Sequence, residues 1–171
     1  VLVTGVSSAV GVAALGIAKY LGAKVIGTSG STEKLAKLAG LGLDVPIRTR
    51  AADFAAVVKT ATDDRGADIA IGAVGAAYFN EILQSLAVDG RFATIGQLTG
   101  SPKVTLDMDF FAMRRYHLFG VSNRLRTPDA RARSAQQFSN DLMDAIVTKQ
   151  IRVQVDRTFP LDEADAAHRY A

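Results

Sequence analysis

The chain has 171 residues, of which 49% are hydrophobic and 22% charged, and its formal net charge is +3. This length and composition predict one globular domain, and the small, scattered positive charge argues against a nucleic-acid-binding protein. With no cysteine and only two histidines, neither a disulfide framework nor a zinc site built from Cys and His is expected.

Short apolar strands alternate with helical segments along the whole chain. Strands are predicted at residues 1–3, 24–27, 45–47, 68–73, 91–95, 117–121 and 153–157. Helices are predicted at residues 10–21, 32–39, 53–61, 78–86 and 128–149, and after residue 162. Asp53 is the predicted N-cap of the third helix, and residues 97–109 are predicted to form a loop.

This alternation of nearly continuous apolar strands with helices is typical of a parallel sheet covered on both faces. Right-handed crossovers then give an α/β fold, a doubly wound parallel sheet (Rossmann) of about six strands with helices on both faces. No apolar run is long enough to span a membrane, and no signal peptide is recognised. We therefore expect no membrane partner and a cytoplasmic location.

The turn TGVSSAVG follows the first strand and precedes the first helix. Unpaired N–H groups and the positive end of the helix dipole favour a pyrophosphate at such a position. Small residues let the backbone approach the ligand closely, and Gly5, Ser7, Ser8, Ala9 and Gly11 meet that need. The turn therefore predicts a dinucleotide-binding site.

The same turn is similar to the TGxxxGxG turn of short-chain dehydrogenases, which also need a Tyr-x-x-x-Lys pair on one helix. Tyr20 and Lys24 have that spacing, but Gly22 ends the helix between them. The two side chains cannot share a helical face. The short-chain family is therefore not supported.

Four other stretches resemble the medium-chain dehydrogenase/reductase superfamily, in its zinc-free, zeta-crystallin-like quinone oxidoreductase branch: SSAVGVAALGIAKYLGAKVIGT, GSTEKLAKLAGLG, LAVDGRFATIG and VDRTFPLDEADAAHRY. The resemblance implies that residues 1–171 are an NAD(P)-binding Rossmann domain truncated at both ends. It implies that the catalytic barrel-like domain of this family is absent from the chain. It also implies a homodimer through the strand from His117 to Val121, which lies at the edge of the predicted sheet.

The segment after the second strand, KVIGTSGSTEK, predicts the choice of cofactor. It has no carboxylate before Glu33, whereas sites that prefer NAD place an acidic residue there to bind the ribose hydroxyls. Hydroxyl groups, helix N–H groups and Lys34 would instead attract a 2′-phosphate. NADPH is therefore the expected cofactor.

The resemblance assigns cofactor contacts along the carboxyl ends of the strands. Thr49 stands where the family often has a tyrosine, so Arg48 or Arg50 is expected to supply a further contact to the 2′-phosphate. Gly72 stands where the family often has an aspartate. The full set of expected cofactor residues is Ser8, Ala9, Val10, Thr28, Ser29, Gly30, Ser31, Lys34, Thr49, Val74, Gly75, Ile95, Gly96, Gln97, Phe119 and Val121.

The sequence shows no acid–base pair, nucleophile or metal-ligand cluster, so no catalytic or metal-binding residue is assigned. Hydride transfer fits this pattern, because the cofactor carries the chemistry and the protein supplies orientation. The expected function is hydride transfer from NADPH to a small-molecule quinone or conjugated carbonyl compound. The alternatives are an enoyl or alkenal reductase, a zinc-type alcohol dehydrogenase of the same superfamily, or a nucleotide-binding sensor without turnover.

Overall fold

The computed structural model describes residues 1–96, 102–152 and 154–170. Within them, six strands form one parallel sheet in the order β3-β2-β1-β4-β5-β6. This is the order of a doubly wound dinucleotide-binding sheet, so the predicted fold class is confirmed. The strands are β1 (Leu2–Thr4), β2 (Ile26–Ser29), β3 (Val45–Arg48), β4 (Ala67–Gly72), β5 (Leu86–Thr94) and β6 (His117–Gly120).

In the same described residues, seven helices connect or follow these strands. They are α1 (Ala9–Tyr20), α2 (Thr32–Ala39), α3 (Ala55–Thr60), α4 (Phe79–Ser85), α5 (Met108–Met113), α6 (Pro128–Val147) and α7 (Ala164–Tyr170). Single 3₁₀ turns precede α4 and α7, at Ala76–Tyr78 and Leu161–Glu163. No helix in the described part of the chain is both long enough and apolar enough to cross a membrane.

Two hydrophobic cores lie on opposite faces of the sheet. Val3 belongs to one core, in which Leu15 of α1 and Leu35 of α2 are buried. Leu2 belongs to the other, together with Val58 of α3 and Ile82 of α4. Since neighbouring residues of a strand point to opposite faces, a strand such as β1, in which all three residues are buried, needs helices on both sides.

Three local predictions differ from the structure. The loop expected at 97–109 is too long by two residues, because α5 begins at Met108, after Asp107, whose carboxylate accepts a hydrogen bond from the Phe110 N–H at 2.9 Å. The third helix begins after Phe54 without a side-chain cap, because the Asp53 carboxylate instead accepts a hydrogen bond from the Thr49 hydroxyl at 2.6 Å. The strand expected at 153–157 is not formed over residues 154–157, and Val153 lies outside the described residues.

Candidate cofactor-binding site

The turn between β1 and α1 has the compact backbone that a phosphate-binding turn requires. Gly5 adopts φ +67°, a conformation that glycine reaches without strain. The Ser8 hydroxyl caps α1 by accepting a hydrogen bond from the Gly11 N–H at 3.1 Å. A Cβ at Gly11 would lie 2.5 Å from the carbonyl oxygen of Gly5, so the helix can approach the turn this closely only with glycine there. Ala9 and Val10 are exposed at the start of α1.

The end of β2 braces this turn through hydroxyl groups. The Gly5 N–H donates to the Thr28 hydroxyl at 3.2 Å, and the hydroxyls of Ser7 and Ser29 are 2.8 Å apart. Thr28 and Ser29 are 1% and 6% exposed, so these hydrogen bonds between the end of β2 and the turn after β1 are shielded from water. The structure thus places Thr28, one of the predicted cofactor residues, inside the fold, with its hydroxyl bound to the backbone of the turn.

The loop after β2 presents polar groups to the same region. The Ser31 hydroxyl caps α2 by accepting a hydrogen bond from the Lys34 N–H at 3.2 Å. A hydroxyl that accepts one bond still has its own proton to donate, and an incoming phosphate oxygen can take it. Lys34 lies in the first turn of α2 with an exposed side chain.

The segment after β3 is tied to the loop after β2. The Thr49 N–H donates to the Ser29 carbonyl at 3.0 Å. A Cβ at Gly30 would lie 2.6 Å from Nε of Arg50, which places the Arg50 side chain across the Gly30 backbone. Arg48 is exposed at the last position of β3, paired in register with Ser29. The structure thus distinguishes Arg50, which lies against the loop after β2, from Arg48, which ends β3. The sequence alone does not distinguish them.

The end of β4 closes the site on its other side. Val74 lies against the turn, because a Cβ at Gly5 would be 3.4 Å from Cγ2 of Val74. Gly75 has φ +116°, which a side chain would disfavour. Gly72 packs against Phe92, whose Cε2 would be 2.6 Å from a Cβ at that position, so the fold has no room there for the aspartate that the family often carries.

The remaining predicted residues follow β5 and β6. The Ile95 N–H donates to the Gly72 carbonyl at 2.9 Å, and a Cβ at Gly96 would be 3.3 Å from the Ala73 carbonyl oxygen. Phe119 and Val121 are 49% and 45% exposed. Gln97 lies outside the described residues. The carboxyl ends of β1, β2, β4, β5 and β6 therefore form one edge, where ligands of open α/β sheets bind.

One aromatic residue beside the site was not assigned from the sequence. Tyr78 is 7% exposed and packs on Phe54 with ring centroids 5.4 Å apart. Burial raises the pKa of its hydroxyl, Asp53 raises it further, and Arg50 lowers it. Tyr78 lies near Arg50 in space but 28 positions later in the sequence, so no local motif could have linked them.

The described residues do not fit a zinc ion. They hold no group of three or more His, Cys, Asp or Glu side chains that could bind a metal. The complete sequence also has no cysteine. No step proposed below uses zinc.

Proteins of known activity are similar to the chain. It is 31% identical over 160 residues to a 2-haloacrylate reductase from Burkholderia sp., covering 90% of the chain and 46% of that protein. It is 29% identical to a quinone oxidoreductase from Rattus norvegicus, covering 98% of the chain and 49% of the rat protein. The chain thus spans about half the length of these relatives.

A solved structure shares the fold. A mycobacterial protein complexed with NADPH matches with a TM-score of 0.79 and 31% identity, covering 98% of this chain and 51% of that one. The family model described as zinc-binding dehydrogenase matches residues 9–140, which is most of the chain. The chain therefore belongs to the zinc-binding dehydrogenase family, within the medium-chain dehydrogenase/reductase superfamily that its motifs resemble.

Proposed function

We propose that the chain is the NADPH-binding domain of an oxidoreductase that transfers hydride to a quinone or another conjugated carbonyl compound. The observation that carries this proposal is that the turn after β1 and the end of β2 are hydrogen-bonded to each other. The small-residue turn before α1 is hydrogen-bonded to a β2 end that has hydroxyl groups and cations but no carboxylate at the ribose position. The mycobacterial relative, whose structure contains NADPH, supports the same cofactor.

The chain's own residues would bind and orient the cofactor. The first N–H groups of α1 face the turn, where the pyrophosphate is expected, and Gly11 lets the helix approach it. The Ser31 hydroxyl and the Lys34 ammonium would hold the 2′-phosphate. The segments at Ile95–Gly96 and Phe119–Val121 would line the nicotinamide end.

Once bound, NADPH supplies the hydride, so the protein needs no nucleophile of its own. Backbone groups, serine and threonine hydroxyls and the cations Lys34 and Arg50 lie around the cleft, and they would bind and orient the cofactor. The name of the family includes zinc, but the described residues hold no ligand set for it.

Reduction of a conjugated carbon–carbon double bond is the second candidate. Similarity to the Burkholderia 2-haloacrylate reductase favours it, since the chain is 31% identical to that protein and 29% identical to the rat quinone oxidoreductase. Both candidates use the same cofactor cleft. They differ only in the acceptor.

The protein that carries this chain should oxidise NADPH when an acceptor is supplied. We expect saturable loss of NADPH absorbance with 1,4-benzoquinone, and a comparison with 2-chloroacrylate ranks the two candidates. A matched reaction without acceptor gives the background. If NADPH binds but neither acceptor raises its oxidation above background, the oxidoreductase proposal fails and a nucleotide-binding sensor remains.

A further inference from the structure

We infer that Arg50 is the main residue that makes this site prefer NADPH to NADH, and that Gly30 positions it. This inference rests on the proposed function, because it concerns the same cofactor cleft. The first evidence is the contact between the two residues. A Cβ at Gly30 would lie 2.6, 2.9 and 3.2 Å from Nε, Cγ and Cζ of Arg50, so the side chain crosses the β2–α2 loop where glycine leaves space.

The backbone around Arg50 is fixed on both sides. The preceding residue, Thr49, donates its N–H to the Ser29 carbonyl at 3.0 Å. Its hydroxyl donates to Asp53 at 2.6 Å and accepts from the Ala51 N–H at 2.9 Å. Arg50 is therefore held on a braced turn beside the loop that carries Ser31, whose N–H donates to the Ser29 hydroxyl at 3.3 Å.

The charges nearby leave the guanidinium able to bind an anion. Asp53 is the acidic group near it, and that carboxylate already accepts the Thr49 hydroxyl. Glu33, on α2, pairs with Lys37 at 3.0 Å and so is directed along its own helix. Tyr78 adds a hydroxyl that is neutral at physiological pH, since burial, the largest influence on it, raises its pKa. The salt bridges formed by the described residues do not include Arg50, so its guanidinium is available to an anion.

A guanidinium suits the group that distinguishes the two cofactors. NADPH carries a 2′-phosphate where NADH carries a hydroxyl, and the planar fork of arginine binds phosphate oxygens through two parallel hydrogen bonds. Lys34 is also cationic, and both side chains are exposed, but the Arg50 side chain already rests on Gly30, so it has less freedom to lose on binding. The three atoms nearest to a Cβ at Gly30 all belong to Arg50, and none of them to Arg48.

The experiment compares NADPH and NADH binding to the wild type, Arg50→Gln, Gly30→Ala and the double variant, with Arg48→Gln as the matched arginine control. We expect Arg50→Gln to weaken NADPH binding by about 10-fold, the effect of one charge-assisted contact, and NADH binding by less than about 2-fold. Arg48→Gln should change either affinity by less than about 2-fold. Gly30→Ala should lower the NADPH preference by displacing Arg50.

The double variant tests the positioning role of Gly30. If Gly30 acts through Arg50, the double variant binds NADPH about as weakly as Arg50→Gln alone. Additive losses would overturn that part of the inference. If Gly30→Ala unfolds the protein, Arg50→Lys is measured instead. Lysine keeps the positive charge but lacks the planar fork of arginine, so this variant should retain only part of the wild-type preference for NADPH.

The outcomes separate this inference from the proposed function. A wild type that prefers NADPH, together with an Arg50→Gln variant that keeps the full preference, overturns the role of Arg50 and leaves the proposed function intact. A wild type that binds neither cofactor overturns both.

Discussion

Single glycines decide how closely the loops of this site approach one another. The motif TGVSSAVG was enough to predict the phosphate-binding turn, because its spacing fixes where the turn ends and the helix begins. The choice between Arg48 and Arg50 could not be predicted in the same way. It depends on packing against Gly30, which lies 20 positions before Arg50 in the sequence.

Gly11→Ala should destabilise the protein by roughly 1–3 kcal/mol or more, because the new methyl group meets backbone that cannot move aside. Its Cβ would lie 2.5 Å from the Gly5 carbonyl oxygen and 2.6 Å from the Val6 Cα. Urea unfolding measures the change. Gly16→Ala in the same helix is the control, since its nearest neighbour would be a side-chain carbon of Ile151 at 3.5 Å. Equal stabilities for the two variants would contradict this account of the turn.

Lys34→Ala should weaken NADPH binding by only about 2- to 5-fold, because an exposed ion pair contributes little. NADH binding should stay the same. The loss should shrink further at high salt, which screens exposed charges. Calorimetric titration at two ionic strengths checks this. A loss larger than that of Arg50→Gln would show that Lys34 is the stronger contact.

Element by element, the sequence predicted the strands better than the short helices. Each of the six described strands overlaps a strand predicted from the pattern, but β5 begins at Leu86, five residues before the strand expected at 91–95. Helix α5 has six residues, too few to show a helical period, and its Phe110 and Phe111 pack on Tyr116 with ring centroids 5.9 and 6.1 Å apart. Its helical conformation follows from this tertiary packing and from the Asp107 cap.

Asp44 joins α1 to the start of β2, and its contribution should depend on pH. Burial would raise the pKa of its carboxyl, but hydrogen bonds from Lys19 and from the Val25 N–H outweigh burial and lower it. A carboxyl with a lowered pKa stabilises the fold above its unfolded value near 4, and that stability is lost as the pH falls through the folded pKa. Asp44→Asn should therefore cost about 1 kcal/mol at pH 7.

Urea unfolding of this variant at pH 7 and at pH 3 tests the sign of the effect. The difference from wild type should be present at pH 7 and smaller at pH 3, because the contribution of Asp44 is lost as the pH falls below the unfolded value and on through the folded pKa. Asp141→Asn, at an exposed position on α6, is the control. A deficit of the same size at both pH values would rule out the ionic contribution.

The free edge of β6 is a surface through which two copies could join, and we propose a homodimer there. All four residues of β6 are exposed, and among the described strands it pairs with β5 alone. The Val121 N–H donates to the Thr94 carbonyl of β5 at 2.8 Å, so the N–H two residues earlier faces β5, and that of Leu118 faces outward. Leu118→Pro should therefore remove an edge donor while leaving the β5 pairing intact.

Light scattering should give a dimer mass for the wild type and a monomer mass for Leu118→Pro. Thermal unfolding checks that the variant is folded. A wild type that is monomeric at micromolar concentration, or a folded Leu118→Pro variant that remains dimeric, would argue against this edge.

For the whole molecule, the order of the strands brings the separate motifs into one site. The motifs lie at residues 4–11, 28–34, 49–50, 72–75, 94–96 and 119–121, and each follows or ends a strand. Because the strands are parallel, their carboxyl ends meet at a single edge. This convergence could be predicted from the alternation of strands and helices, whereas the side-chain contacts across the edge required the folded structure.

The central proposal is that this edge binds NADPH. Calorimetric titration of NADPH and NADH into the wild-type chain tests it most directly. The account predicts one NADPH site per chain and an affinity for NADPH at least about 10-fold higher than for NADH, the difference made by one charge-assisted contact to the 2′-phosphate. Equal affinities for the two cofactors, or no binding of either, would contradict it.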